Sequence, residues 1–286
     1  MGDPRKAADG LIGRALRQLG SGRLYLASDA EVDDATLAAM LADVRVSALF
    51  EVDLSNQKLG PASARLLAES PKTAGLQVLV LGQNAIADDG AEAIAARAWS
   101  GLGQLGLAWT KLGARGLAAL ARSPGLGHLH SLEIGYQPLG DAAVALLTAL
   151  PALTSLSVSR TELMGPGARA LLEVAVGWLD LSDNPLPEGA LTGLTALSPR
   201  LRSVSFKQSG LGASDAAVLA GLAAPALRSV DLAMTKLGDA GLSALARAPW
   251  LAQLDGLNVS YAGGSGAGLA TLREAWGARP GLSPGR

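Results

Sequence analysis

The chain has 286 residues, 24 basic and 25 acidic side chains, a formal charge of -1 and no cysteine. Near-neutrality excludes the strong basic field that general nucleic-acid binding requires, because phosphate contacts draw their affinity from counterion release. The missing cysteines exclude disulfides, thiolate zinc sites and cysteine nucleophiles together, and fit a cytoplasmic protein.

In chain order, Met1 to Gly10 lack the apolar core of a secretory signal, and no stretch approaches the roughly 18 apolar residues of a membrane span. A soluble chain with no membrane partner is expected. Asp9 can cap a helix in which Leu11, Ile12, Ala15, Leu16 and Leu19 share a face, and Leu24-Tyr25-Leu26 with Thr36 to Leu41 reads as a degenerate first repeat. Residues 1–48 therefore read as an N-terminal cap. From residue 49 to 276 one pattern recurs nine times: apolar, variable, apolar, then an apolar residue five positions on. It begins as Val52-Asp53-Leu54 with Leu59, and the later copies start at Leu79, Leu105, Leu132, Leu156, Leu179, Val204, Val230 and Leu257, the last without its trailing apolar residue. Successive starts lie 23 to 27 residues apart, a period that means a stacked solenoid.

Within each copy the alternation predicts a short strand with one buried face, and the glycine- and alanine-rich segment after it predicts a helix behind every strand. Pro71, Pro124, Pro151, Pro199, Pro225 and Pro249 mark the helix exits, since proline has neither the amide nor the space to continue a helix. The repeat leaves no room for a second core, so one domain is expected. Leu269, Leu272 and Trp276 can cover the last coil, and 277–286, rich in glycine and proline, reads as a disordered tail.

The run Leu76-x-x-Leu79-x-Leu81-x-x-Asn84-x-Ile86, followed by Gly90 to Ala95, resembles the leucine-rich repeat of the ribonuclease-inhibitor-like class, and its glycine-alanine helix resembles the bacterial GALA-type repeats most. The resemblance implies an α/β leucine-rich repeat solenoid, a right-handed horseshoe with a parallel concave sheet and convex helices. Arginine outnumbers lysine three to one, a bias that accompanies GC-rich bacterial genomes. The family's turn asparagine is present at Asn84 and Asn184; Gln57, Thr110, Gln137, Thr161, Ser209, Thr235 and Ala262 stand at its place elsewhere.

Core packing explains the repeating leucines, so binding residues are sought where the fold does not dictate the residue. Trp109, Tyr136, Trp178 and Tyr261, with Met234, fall on outward positions, and Trp109 and Tyr136 occupy equivalent places in consecutive repeats. The same face carries Glu51, Asp53, Glu133, Asp180, Asp183 and Asp231 against Arg160 and Lys207. A protein partner of basic character is the expectation; folding of the rings over Gly106, Ala108 and Gly135 is the structural alternative. Oligomeric state is not legible.

Enzymatic readings find little. His128 and His130 are the only histidines and precede the fourth strand without a serine or carboxylate partner, Asp180 and Asp183 lack an enclosing cleft, and no phosphate-binding loop motif occurs. A non-catalytic chain without cofactor or metal is expected. Resemblance alone offers two alternatives: a GTPase-activating protein of the Ran type, with Arg160 as charge-stabilising residue, or a secreted bacterial effector that binds a host protein.

Overall fold

In the computed structural model, the described residues are 9–10, 22–26, 32–144, 147, 150–174 and 176–284. The chain divides into two compact units, Met1–Gln137 with Ala149–Leu153, and Pro138–Thr148 with Thr154–Arg286. The continuous repeat reads as one domain; a repeat that packs only on its neighbours has no single core to hold a long chain in one unit.

The first unit contains β1 (Arg23–Tyr25), α1 (Asp34–Ala42), β2 (Glu51–Asp53), α2 (Pro61–Glu69), β3 (Val78–Val80), α3 (Ala87–Ala96), β4 (Gln104–Gly106), α4 (Ala114–Arg122) and β5 (Ser131–Glu133). All strands pair in parallel with their sequence neighbours, so Leu24, Val52, Leu79, Leu105 and Leu132 form one buried row in register. Leu54, Leu81, Leu107 and Ile134 form a second row at 0 % exposure, and Leu37, Leu67, Ile94 and Leu117 of the helices close on them. At roughly 1.5 to 3 kcal/mol per buried side chain, these rows carry the unit.

The second unit contains α5 (Gly140–Val144), β6 (Ser155–Ser157), α6 (Gly165–Glu173), β7 (Trp178–Asp180), β8 (Ser203–Ser205), α7 (Ala213–Gly221), β9 (Ser229–Asp231), α8 (Gly238–Leu245), β10 (Gly256–Asn258), α9 (Gly266–Trp276) and β11 (Leu282–Ser283). Its strands are parallel in chain order, with Leu156, Leu179, Val204, Val230 and Leu257 buried in register. In the ninth copy Gly264 replaces the trailing apolar residue; an added Cβ would lie 2.2 Å from Leu242 Cδ1, so Leu242 fills that space.

Two expectations are corrected. No helix follows β7: residues 188–193 run as turns, because Pro185 and Pro187 break the entry and Gly189 and Gly193 adopt φ of 83° and 87°. The fully buried Asp215 holds that turn, accepting from Gly189 N (2.8 Å), Leu191 N (2.8 Å) and Gly212 N (3.0 Å). The segment 277–286, expected to be disordered, instead supplies β11, paired with β10 as Leu257 with Leu282 and Asn258 with Ser283. Of the expected N-terminal helix, Leu11, Ile12, Ala15, Leu16 and Leu19 lie outside the described residues. Asp9 is helical and bonds Arg45 at 2.5 Å. Arg45 also grips Asp43, whose carboxyl it holds down at about 2.

Candidate functional site

After its strand, every repeat places one residue in the left-handed conformation. These are Asn56, Gln83, Trp109 and Tyr136 in the first unit, and Arg160, Asp183, Gln208, Met234 and Tyr261 in the second, with φ from 51° to 61°. None is glycine and none is β-branched, which is what the steric cost of φ > 0 demands of a side chain kept there. The sheet bonding runs on through this residue: Gln83 N donates to Ala108 O (2.8 Å) and Trp109 N to Gly135 O (3.1 Å). The side chain is thus fixed at the rim between the sheet face and the turn edge.

In the first unit this row brings Trp109 and Tyr136 into a stack, with centroids 4.8 Å apart and planes tilted by 15°. Trp109 remains 50 % exposed, so the rings cover each other without being buried. On the sheet side they border a hollow of about 290 Å³ with Gly82, Gly106 and Ala108 as small residues and Glu133, Ser55 and Val80 around it. A Cβ at Gly106 would meet Val80 Cγ1 at 2.9 Å, so the hollow depends on that glycine. On the turn side Trp109 borders a larger groove of about 780 Å³ with Lys58, Gln83, Ala85 and Lys111. Sequence reading missed the two lysines, although both follow the left-handed residue by two positions, in repeats two apart. Elsewhere on this face Glu51 is taken up by Arg23 at 3.0 Å and by the Tyr25 hydroxyl, a hydrogen bond that raises the phenol's pKa.

The second unit holds the other candidates. Trp178, 42 % exposed, lies in register between Ser155 and Ser203, and Asp180 between Ser157 and Ser205. Asp180 accepts from Ser182 N (3.0 Å), Ser182 Oγ (2.5 Å) and Ser157 Oγ (3.2 Å), and Asp231 accepts from Ala233 N at 2.9 Å. Asp53 and the neutral Asn258 make the same bond, to Ser55 N and Ser260 N. Two of the acids read as partner contacts therefore close the turn of their own repeat. Asp183 is half-buried in the left-handed row, and Tyr261, 64 % exposed, stands three repeats further along it. The eight candidates thus fall into two groups: Trp109, Glu133 and Tyr136 in one unit, and Trp178, Asp180, Asp183, Asp231 and Tyr261 in the other.

His128 and His130 are exposed in the loop before β5. Among the described residues no cluster of three histidine, aspartate or glutamate side chains could hold a metal ion.

Residues 76–95 and 224–246 match the profile of the leucine-rich repeat family. No curated protein matches the chain. Among solved structures the chain is similar to the leucine-rich repeat ectodomain of the Arabidopsis receptor kinase HAESA, determined with an N-terminally extended IDA peptide hormone. That likeness has 19 % identity and a TM-score of 0.45, and covers 83 % of this chain but 36 % of the ectodomain, so the chain spans about a third of its length. The two matched segments are leucine-rich repeats, and each unit has the fold of a leucine-rich repeat solenoid.

Proposed function

We propose that the chain is a non-catalytic scaffold that binds a protein partner through the outward sheet face of its first unit, centred on Trp109 and Tyr136. The observation that carries this reading is the exposed Trp109 indole stacked on the half-buried Tyr136 ring. Large amphipathic rings held rigid on a scaffold lose little entropy on binding and dominate interface energetics. Both rings sit at backbone positions with φ near 60°, so the fold maintains them against a steric cost. Glu133, exposed on the same face, favours a basic segment of the partner, with charge setting rate and selectivity more than affinity. We extend the reading to a bacterial cytoplasmic protein of the ribonuclease-inhibitor-like class on the resemblance, the absence of cysteine and the arginine bias.

The test is an affinity capture from bacterial lysate with the wild type and with the Trp109→Ala, Tyr136→Ala double variant, its fold checked by circular dichroism. A protein recovered only by the wild type, and bound by the variant about a hundredfold more weakly, is the expected outcome. Identical recoveries by both baits refute the reading.

A further inference from the structure

The sheet face of the second unit differs in kind from that of the first. The outward strand positions of β6 to β10 hold five serines, two aspartates, an asparagine, a glycine and a single ring, Trp178, with no branched aliphatic residue. The same positions of the first unit hold one serine and include Val78 and Val80. From the residue before each of β6 to β10 to the left-handed residue after it, Arg160, Arg202, Lys207 and Arg228 stand against Asp180, Asp183, Asp231 and Asp255, so the face is neutral. Protein interfaces draw their energy from an apolar centre poor in serine, aspartate and lysine, and nucleic acids bind through an excess of cations; this face supplies neither. It supplies a ring among oriented hydrogen-bonding groups. Ser203 and Ser205 run along β8 as a strip of short side chains, with Trp178 and Asp180 in register on β7 and Ser229 and Asp231 on β9. Asp231 gives Oδ1 to Ala233 N and Asn258 gives Oδ1 to Ser260 N, so the turn fixes both side chains. Asp231 Oδ2 and Asn258 Nδ2 engage no protein group among the described residues, and the exposed Lys207, two positions beyond Ser205, makes no ion pair there.

We infer that this face binds a neutral oligosaccharide, with the C–H face of one sugar ring on the exposed Trp178 indole and hydroxyls of the chain on Asp180, Asp231 and Lys207. A sugar joins an apolar ring face to hydroxyls that both donate and accept, which matches an indole beside fixed carboxylates and an ammonium. Hydrogen bonds to ionised groups are the strong ones, and a neutral hydroxyl serves either sign. Trp178 and Asp180 are two residues apart along the strand, about 7 Å, and Asp180 and Asp231 two strand spacings apart, about 10 Å. One sugar cannot reach all of them, so the face takes a chain of sugars. The inference goes beyond the protein-binding reading, which rests on the other unit.

The experiment is titration of the full chain, by calorimetry and tryptophan emission, with xylopentaose, cellopentaose, maltopentaose and mannopentaose. Pentagalacturonate and a Gly-Ser-Asn-Gly-Ser-Asn peptide serve as the acidic-sugar and protein-chain comparisons. At least one neutral pentasaccharide is expected to bind saturably, its affinity changing by less than about twofold between low and high salt, because the ligand carries no charge to screen. Trp178→Ala is expected to weaken it about tenfold or more and Trp178→Phe to restore most of that loss. Asp231→Asn, which places at this turn the side chain that Asn258 carries at its own, is expected to weaken it about fivefold. The Trp109→Ala, Tyr136→Ala variant is expected to bind the sugar as the wild type does, which separates this face from the protein-binding one. No saturable binding of any neutral pentasaccharide, equal affinity for the peptide, tighter binding of pentagalacturonate, or indifference to Trp178→Ala or Asp231→Asn would each overturn the inference.

Discussion

At the residue scale the clearest lesson lies in the turn position marked by asparagine. Asn184 is 1 % exposed; its Oδ1 accepts from Thr161 N (2.9 Å) and Leu163 N (3.0 Å), and its Nδ2 donates to Val158 O and Leu181 O, both at 2.9 Å. Asn84 makes the same four kinds of bond one repeat back, and Gln137 reproduces them with a longer arm toward Thr110 N, Leu112 N, Leu107 O and Ile134 O. The hydroxyls of Thr110, Thr161 and Thr235 bond only a carbonyl three residues back in their own turn, apart from contacts with a neighbouring amide oxygen. An amide in one repeat therefore satisfies the backbone of the repeat before it, which sequence reading could not see because it judged each position by its own turn. Ser209 breaks the series, its hydroxyl 5 % exposed as a residue and without a partner. Asn184→Ala strands two donors and two acceptors in the core and is expected to cost about 3 kcal/mol, whereas Ser209→Ala removes an unmade bond and is expected to cost less than about 0.5 kcal/mol. Urea unfolding of the two variants checks the difference; equal losses would contradict this account of the turn.

At the scale of the element, the helices are capped by their neighbours. Asp88, in the first turn of α3, accepts from Gly113 N (2.7 Å) and Gly116 N (3.0 Å), the cap and third residues of α4. Asp34 does the same for Gly60 and Ser63 at the start of α2. Asp141 accepts from Met164 N (2.7 Å) before α6, and Asp239 from Ser265 N (2.6 Å) before α9, where the Ser265 hydroxyl bond holds the acid's pKa down. In α4, α6 and α9 the third residue is glycine and the visiting carboxylate takes the room of its Cβ, which would lie 2.7 Å from Asp88 at Gly116, 2.5 Å from Asp141 at Gly167 and 2.3 Å from Asp239 at Gly268; in α2 it is Ser63, whose hydroxyl itself donates to Asp34. The glycine-alanine helix was legible in the sequence as a pattern, but its reason was not, because it couples an aspartate to a glycine about one repeat later. The helix expected after β7 failed for a legible cause, two prolines and two glycines inside one short segment. Asp88→Ala is expected to destabilise by about 1 to 2 kcal/mol and Asp88→Asn, which keeps the acceptor, by less than about 0.5 kcal/mol. Thermal unfolding distinguishes this from an ion pair with Arg115, 3.7 Å away, which the amide would not preserve.

At the scale of the whole molecule, a solenoid is limited by its ends, where a coil loses the neighbour that would cover its edge. The buried rows were legible from end to end because each depends on one repeated period; the closing device was not, because glycine and proline between 277 and 286 carry the composition of a tail. The structure closes the second unit with three parts. Trp276 is buried at 2 % exposure and donates Nε1–H to Arg279 O at 2.9 Å. The Arg279 guanidinium lies 4.3 Å over that indole and donates to Ala252 O (2.7 Å), Leu251 O (3.2 Å) and Leu254 O (3.4 Å), carbonyls of the 3-10 turn Leu251–Gln253 and of its cap residue. Thus anchored, the chain returns as β11; Gly281 O just before it and Ser283 O within it accept from Leu257 N and Val259 N, both at 2.9 Å. Charge-assisted bonds and a cation on an indole together make Arg279 worth about 2 kcal/mol to this end. In a chain whose repeats interact only with their neighbours, that loss is felt locally before it is felt globally. Arg279→Ala is therefore expected to speed hydrogen exchange at Leu257 and Val259 by about thirtyfold while Leu81 and Leu107 of the first unit exchange as before. Arg279→Lys is expected to recover little of it, because one ammonium cannot meet three carbonyls and lie flat on the ring. Unchanged exchange at Leu257 and Val259 would mean that β11 holds without Arg279, and equal acceleration in both units would mean that the ends are not independent.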